Sequence, residues 1–377
     1  MLPDDLVLLL PGFFGFTRIS GLYYFAERVA AAIRGGLDTY MRRPVPVVPL
    51  STLPAGSLRE RQESLLLQLR ALVKRTGGKP RLHLLGHSTG GVDAYLLTCE
   101  RQVSGSPWTA AHDEVRRQLA SITTVASPFR GTWLSADAAA KFALDPRHNA
   151  TGMVKVLRLV RELVSPRIDK ALVAEVLSNA VAALPDAFKL CWQLLLDRQL
   201  IGELTPDHME QVLRDNPRKL DVPFTSFVTA VPEDTLHHAS PFFADLYMIT
   251  AGDDTAPVSV AIKAATDLLN ARAAEAMRPV GCAPPVFAPR ISDGVVNSAR
   301  QLIDPYDPST LGGIVVADHL DVLGYYDGVN ALISGPPLNE SVFRSGAGFG
   351  DDLFFQLYGL IAGRIREVMM PVLRGAS

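Results

Sequence analysis

The sequence predicts an α/β fold: a mostly parallel central sheet with helices on both faces and an inserted block of helices that forms a cap or lid. Short apolar runs of strand length alternate with helical stretches in the first third of the chain, as is typical of βαβ units. These runs are apolar throughout, which indicates strands buried on both faces. The middle of the chain shows helical periodicity alone, which indicates an insertion into the sheet domain.

Strands and helices are predicted in a regular order on either side of this insertion. Before it, strands are expected at residues 6–10, 45–50, 82–85 and 122–126, with helices at 22–33 and 58–73. The second of these helices carries Leu58, Leu65, Leu69 and Leu72 at helical spacing. After the insertion, strands are expected at 222–229 and 313–316, with helices at 258–277 and 353–372.

The insertion is predicted at residues 133–221, between core segments 1–132 and 222–377. Apolar-rich helices are expected at 154–164, 170–183 and 188–196, interrupted by prolines such as Pro166 and Pro185. A helical block in this place suits a cap over a binding site, and its apolar side chains favour transient contact with a lipid interface. The alternative is a set of helices that pack on the core and have no gating role.

The composition excludes several classes of protein. Of the 377 residues, 48% are hydrophobic and 20% charged, so a large core can form. The net charge of −2 gives no electrostatic basis for binding nucleic acid. No apolar run is long enough for a transmembrane helix. No secretion signal is recognised before the first strand, which predicts a cytoplasmic protein unless a secreted form has been trimmed.

The motif Gly86-His87-Ser88-Thr89-Gly90 follows a predicted strand and opens a predicted helix. This arrangement is typical of the nucleophile elbow of α/β-hydrolases, in which a serine stands on a tight strand-to-helix turn. Glycines are expected there because a Cβ would clash where the two elements approach. The helix points its N-terminal N–H groups at the site, where negative charge develops in acyl transfer. The alternative is an ordinary turn with an inactive serine.

A nucleophilic serine needs a general base and a carboxylate that orients the base. In this fold the three residues follow in the order serine, acid, histidine. His319 lies late in the chain, just after the last predicted strand, and is the predicted base. His87 is predicted to be structural. Asp293, in an Asp-Gly turn, is the predicted acid. The competing acids are Asp253, Asp254, Asp304, Asp307 and Asp318.

Two N–H groups are expected to stabilise the oxyanion of the tetrahedral intermediate. Thr89, directly after the nucleophile, is predicted to supply one of them. Phe13, in the glycine-rich loop after the first strand, is predicted to supply the other. Phe14 and Phe16 are predicted to line the substrate pocket, although core packing would account for them as well.

Four blocks of the chain resemble the bacterial triacylglycerol lipases of Gram-negative species, within the α/β-hydrolase superfamily. In family order, residues 11–16 resemble the oxyanion loop, 86–91 the Gly-His-Ser-x-Gly-Gly elbow, 292–296 the acid turn and 318–321 the histidine loop. Residues 126–132 also resemble the family's segment after the next strand. The resemblance implies that Ser88, Asp293 and His319 form a catalytic triad.

The resemblance also implies a structural calcium ion that supports the histidine loop. Asp321 matches one of the family's calcium ligands, two residues after the histidine. The second ligand is expected at Asp254 or its neighbour Asp253, since a hard cation prefers carboxylate oxygens. The alternative is that Asp321 caps or pairs locally.

These observations predict a serine carboxylic ester hydrolase, a lipase or esterase, that cleaves apolar acyl esters through an acyl-enzyme and needs no organic cofactor. Two departures from the family leave the substrate open between short-chain esters, lipids and polyesters. Pro11 replaces a histidine of the oxyanion loop, and the long separation of Ser88 from Asp293 implies an enlarged cap. The alternatives are an acyltransferase or thioesterase with the same nucleophile, and a non-catalytic binding protein, which would usually have a broken triad.

Overall fold

The computed structural model describes residues 5–12, 18–19, 22–38, 44–53, 56–77, 80–136, 198–252, 258–326 and 344–370. Strands are β1 (Asp5–Leu10), β2 (Arg18–Ile19), β3 (Leu22–Tyr23), β4 (Val47–Pro49), β5 (Arg81–His87), β6 (Leu119–Val125), β7 (Phe224–Ala230) and β8 (Leu311–Val316). Six of them form one sheet in the order β4-β1-β5-β6-β7-β8, and every pair is parallel. The carboxyl ends of all six strands therefore meet at one edge. Strands β2 and β3 form a separate antiparallel pair.

Nine α-helices lie wholly within the described residues. They are α1 (Glu27–Asp38), α2 (Leu58–Arg75), α3 (Thr89–Leu96), α4 (Ala110–Arg116), α5 (Arg198–Glu203), α6 (Pro206–Asp215), α7 (Pro241–Ala251), α8 (Val260–Arg272) and α9 (Asp351–Met369). Short 3₁₀ turns are found at Glu233–His238, Ala273–Glu275, Ser298–Gln301, Pro308–Thr310 and Asp321–Leu323. None of the described helices has both the length and the apolar character needed to cross a membrane.

Both faces of the sheet are buried, as the apolar runs predict. Along β1, Leu8 packs into one hydrophobic cluster and Leu9 into another on the opposite face, because successive side chains of a strand alternate. The first cluster includes Leu65 of α2, and the second includes Ile33 of α1 and Ile361 of α9. The core therefore consists of two layers, one on each side of the sheet.

Most predicted elements match those of the structure, with shifts at their ends. Residues 22–23 pair as strand β3, and helix α1 begins only at Glu27; aromatic Tyr23 favours a strand. Strand β4 begins at Val47 rather than at residue 45, and Pro46 has no N–H to donate to a ladder. Helix α8 begins after Ser259, whose hydroxyl accepts a hydrogen bond from the Ile262 N–H.

The predicted cap, at residues 133–221, is described only at 133–136 and 198–221. Residues 154–164, 170–183 and 188–196, where its main helices are predicted, lie outside the described residues. Helices α5 and α6 are described, and Leu200 and Met209 are fully buried in the same cluster as Leu65. This end of the predicted cap therefore packs on the core, and the extent of the cap stays a prediction.

Arg61 and Asp93 form an ion pair whose two side chains are fully buried. Arg61 Nη2 donates to Asp93 Oδ2 at 2.6 Å and Arg61 Nε to Oδ1 at 3.1 Å, which joins α2 to α3. Arg61 Nη2 also donates to the carbonyls of Pro11 and Gly12, just after β1. Two helices and the chain leaving β1 are thus held by one guanidinium.

Replacing Arg61 with Met should destabilise the fold by about 3–5 kcal/mol, because it leaves the Asp93 carboxylate buried without its partner. Urea unfolding followed by circular dichroism would measure the loss. The double variant Arg61→Met/Asp93→Leu should lose less, since both buried charges are removed together. Arg364→Met is a control: it breaks an exposed pair with Glu367 and should change stability by about 1 kcal/mol or less. An unchanged midpoint in Arg61→Met would contradict the expectation.

Candidate active site

Ser88 occupies the tight turn between β5 and α3. Its backbone has φ 54° and ψ −131°, in a region that non-glycine residues rarely adopt. The Ser88 N–H donates to the Val125 carbonyl at 3.0 Å, which ties the turn to the end of β6. Such a strained conformation persists only where the surroundings enforce it, and it is a feature that clusters at functional sites. The turn therefore has the backbone expected of a nucleophile elbow.

Three glycines allow this turn to sit close to its neighbours. A Cβ on Gly86 would lie 2.5 Å from the Gly90 carbonyl oxygen and from the Gly91 nitrogen. A Cβ on Gly90 would collide with the Leu10 carbonyl, and one on Gly91 with the Ser127 side chain. Because the atoms close to Gly86 and Gly90 belong to the backbone, a side chain at either position would force the main chain apart.

The structure places Asp293 in a turn where its carboxylate is fully buried. Oδ1 accepts hydrogen bonds from the N–H groups of Val295 and Val296, at 2.9 and 2.8 Å. Oδ2 accepts from the Thr229 hydroxyl at 2.7 Å and from Gln301 Nε2 at 3.2 Å. These four donors, besides the histidine described next, stabilise the negative charge and fix the plane of the carboxylate.

His319 follows β8 by three residues and is bound to Asp293 through two atoms. Nδ1 lies 2.8 Å from Asp293 Oδ2, and the His319 N–H donates to the Asp293 carbonyl at 3.0 Å. Because an ionised carboxylate only accepts, we assign the proton of the neutral ring to Nδ1, which leaves the Nε2 lone pair available. The ring is therefore oriented and protonated as a general base requires.

His87 brings His319 next to Ser88. It immediately precedes Ser88, and its Nε2 lies 2.9 Å from the His319 carbonyl oxygen. The centroids of the two imidazole rings are 4.6 Å apart. The elbow, the histidine loop and the acid turn thus meet at the carboxyl edge of the parallel sheet, where open α/β sheets commonly place their sites.

Two other candidate acids, Asp304 and Asp307, form hydrogen bonds within their own loops. Asp304 accepts a hydrogen bond from the Tyr306 N–H, and Asp307 accepts one from the Ser309 N–H; both carboxylates are exposed. Asp253 and Asp254 lie outside the described residues.

Asp318 is buried beside His319. Its Oδ1 accepts from the N–H groups of Leu320 and Asp321, each at 2.8 Å. Burial, together with the negative charge of Asp293, raises the pKa of Asp318 to about 6. Asp318 therefore shapes the histidine loop, whereas Asp293 binds the imidazole.

Asp321, the calcium ligand that the resemblance implies, takes part in the same loop. Its Oδ2 accepts a hydrogen bond from the Asp318 N–H at 2.9 Å. Within the described part of the chain, no three His, Cys, Asp or Glu side chains cluster as a metal site would require. The calcium site therefore stays a prediction.

Of the two predicted oxyanion donors, Thr89 lies within the described residues and Phe13 does not. Thr89 is the first residue of α3, it is 1% exposed, and its hydroxyl has no hydrogen-bond partner among the described residues. Phe13, Phe14 and Phe16 lie outside the described residues. Gly12 is described: a Cβ there would lie 2.6 Å from Ser88 Cβ. The chain leaving β1 therefore passes directly against Ser88.

Sequence reasoning missed two polar side chains that bind the Asp293 carboxylate. Thr229 lies at the end of β7, within an apolar run, and Gln301 lies in a 3₁₀ turn without a recognisable motif. Gln301 also accepts from the Thr229 N–H at 2.8 Å and donates to the Thr229 carbonyl at 3.1 Å. The only local indication is a threonine near the end of β7, in the same sheet as the strands that lead to Ser88 and His319.

Neither protein-family models nor curated protein sequences give a match to this chain. Solved structures do match it. A Staphylococcus hyicus lipase superposes with a TM-score of 0.53 at 14% identity, over 98% of this chain and 97% of that chain. Lipase 1 of Pelosinus fermentans gives 0.50 at 15% identity, over 97% and 99%. A metagenomic carboxyl esterase gives 0.50 at 12% identity, over 98% and 76%. Together with the parallel sheet, these similarities show that the chain has the α/β-hydrolase fold.

Proposed function

We propose that this protein is a serine carboxylic ester hydrolase, a lipase or esterase that acts on apolar acyl esters. The observation that carries the proposal is the hydrogen-bonded His319–Asp293 pair next to a strained serine at the end of β5. The fold agrees with it, since the structures it resembles are named as lipases and an esterase. The fold alone would not establish a function, because one fold hosts many activities.

The chemistry follows from the positions of these groups. Ser88 Oγ attacks the acyl carbonyl while His319 Nε2 takes its proton, and the alcohol leaves when His319 returns that proton to it. Asp293 keeps the proton on Nδ1 and stabilises the imidazolium that forms. A water activated by His319 then hydrolyses the acyl-enzyme. We assign the oxyanion to the N–H groups of Thr89 and Phe13, at the N-terminus of α3 and in the loop after β1.

Replacing Ser88 with Ala should abolish hydrolysis of p-nitrophenyl esters, with a loss in kcat of about 10⁴-fold or more. Release of p-nitrophenol from the series of acetyl to palmitoyl esters measures the loss in kcat, and the acyl length that gives the highest activity separates an esterase from a lipase. Ser121→Ala is a matched control, because Ser121 is also buried but bonds His83, away from the triad. Ester hydrolysis that survives in Ser88→Ala would refute the assignment of the nucleophile.

The same assay tests the alternative acceptors. An acyltransferase would form new esters from added alcohols faster than it releases free acid, and a thioesterase would prefer acyl thioesters to oxygen esters. A protein that hydrolyses none of these esters and is not labelled at Ser88 by a fluorophosphonate would instead be a non-catalytic member of the fold.

Asp293→Asn should lower kcat by about 10⁴-fold, because the amide favours the wrong tautomer of His319. Gln301→Leu should lower kcat by about 10-fold, since it removes one donor to Asp293 Oδ2. Steady-state kinetics measure both losses, and thermal unfolding confirms that the variants fold. Thr266→Val removes a buried hydroxyl bond in α8 and is the control. If Gln301→Leu changes kcat no more than Thr266→Val does, Gln301 has no part in holding the acid.

A further inference from the structure

His87 is a buried ring at the site that the proposed chemistry does not use. It is 2% exposed, and its neighbours are aromatic. Its ring centroid lies 5.7 Å from that of Tyr24, 6.5 Å from that of Phe25 and 4.6 Å from that of His319. Both nitrogens of this buried imidazole are hydrogen-bonded, one of them to the His319 carbonyl. The ring is therefore held by specific polar contacts as well as by packing.

The partners of His87 determine where its proton lies. The His319 carbonyl, 2.9 Å from His87 Nε2, can only accept, so Nε2 carries the proton. Nδ1 is then the acceptor, and the Tyr24 hydroxyl donates to it at 2.8 Å. The Tyr24 oxygen in turn accepts from the main-chain N–H of Gly12. The hydrogen bonds therefore run in one direction, from Gly12 through Tyr24 and His87 to His319.

His87 and Tyr24 both stay uncharged near neutral pH. Burial, with repulsion from His319, lowers the pKa of His87 well below its usual value. Burial raises the pKa of Tyr24 well above its usual value. This neutrality matters because His319 becomes positively charged when it takes the Ser88 proton. A second positive ring 4.6 Å away would oppose that charge, and a neutral ring does not.

We propose that His87, oriented by Tyr24, is a positioning residue that holds the main chain of the general base His319 and remains a neutral neighbour of its ring. The inference rests on the proposed function. Asp293 binds His319 at Nδ1 and at the main-chain N–H, and His87 binds its carbonyl. The two contacts act on opposite ends of the same residue, so together they fix the direction in which Nε2 points.

Kinetic variants test this role. His87→Phe keeps an aromatic ring but loses the donor, and we expect kcat to fall about 10- to 100-fold with KM within about twofold, as for a slightly misplaced base. His87→Gln should restore most of kcat, because the glutamine amide can donate to the same carbonyl. Tyr24→Phe should lower kcat about 3- to 10-fold, which is the effect of one hydrogen bond. The ester substrates are those used for Ser88.

Matched controls separate positioning from general packing. His83→Gln alters another buried histidine of β5, and Tyr95→Phe removes another buried tyrosine hydroxyl bond. Both should keep the wild-type kcat. The inference is overturned if His87→Phe and Tyr24→Phe also keep it, or if His87→Gln is no more active than His87→Phe.

Nitrogen NMR of the ¹⁵N-labelled wild-type protein tests the inference without any variant that must fold well. We expect a neutral His87 ring protonated at Nε2, which stays neutral as the pH falls below 6.5, where an ordinary histidine becomes charged. A charged ring near pH 7, or a proton on Nδ1, in an enzyme that hydrolyses esters would overturn the inference alone. Absence of all ester hydrolysis by the wild type would overturn the proposed function itself.

Discussion

The close approach of β5, α3 and the end of β1 is the constraint on which the rest of the site depends. Side chains are excluded at Gly86 and Gly90, where a Cβ would meet backbone atoms of neighbouring segments. Because the helix lies so close to the strand, the residue between them must turn sharply, and Ser88 adopts its strained backbone. The same approach places Gly12 against Ser88. Backbone packing therefore helps to set the positions of Ser88 and of the chain leaving β1, together with the hydrogen bonds from Arg61 to that chain.

The parallel sheet explains how residues far apart in the chain reach this turn. All six strands end at one edge, so the segments that follow β1, β5 and β8 are brought together there whatever lies between them. Asp293 does not directly follow a strand. It is attached instead by the Val231 N–H, which donates to the Ser292 carbonyl at 2.8 Å, and by Thr229 at the end of β7. An insertion between β6 and β7 can therefore grow without displacing the acid.

Much of the sheet and the three candidate catalytic residues could be predicted from the sequence, because each carries a local pattern. Apolar runs mark buried strands, and the Gly-x-Ser-x-Gly and Asp-Gly motifs mark turns whose geometry demands those residues. Thr229, Gln301 and Tyr24 could not be predicted, since their roles arise from contacts with residues distant in the chain. The shifted element ends differ from these, because Pro46 and the Ser259 cap are local features that account for two of the shifts.

The surroundings of His319 are asymmetric in a way that suits a base. On one side lies the Asp293 carboxylate, whose position is fixed by hydrogen bonds from main-chain N–H groups and from Thr229 and Gln301. On the other side lies the neutral ring of His87. Positive charge on the His319 imidazole is thus stabilised by Asp293 at Nδ1 and is opposed neither by Asp293 nor by His87. The ionic partner at Nδ1 and the uncharged ring at the carbonyl thus act together on one histidine, the first by attraction and the second by adding no repulsion.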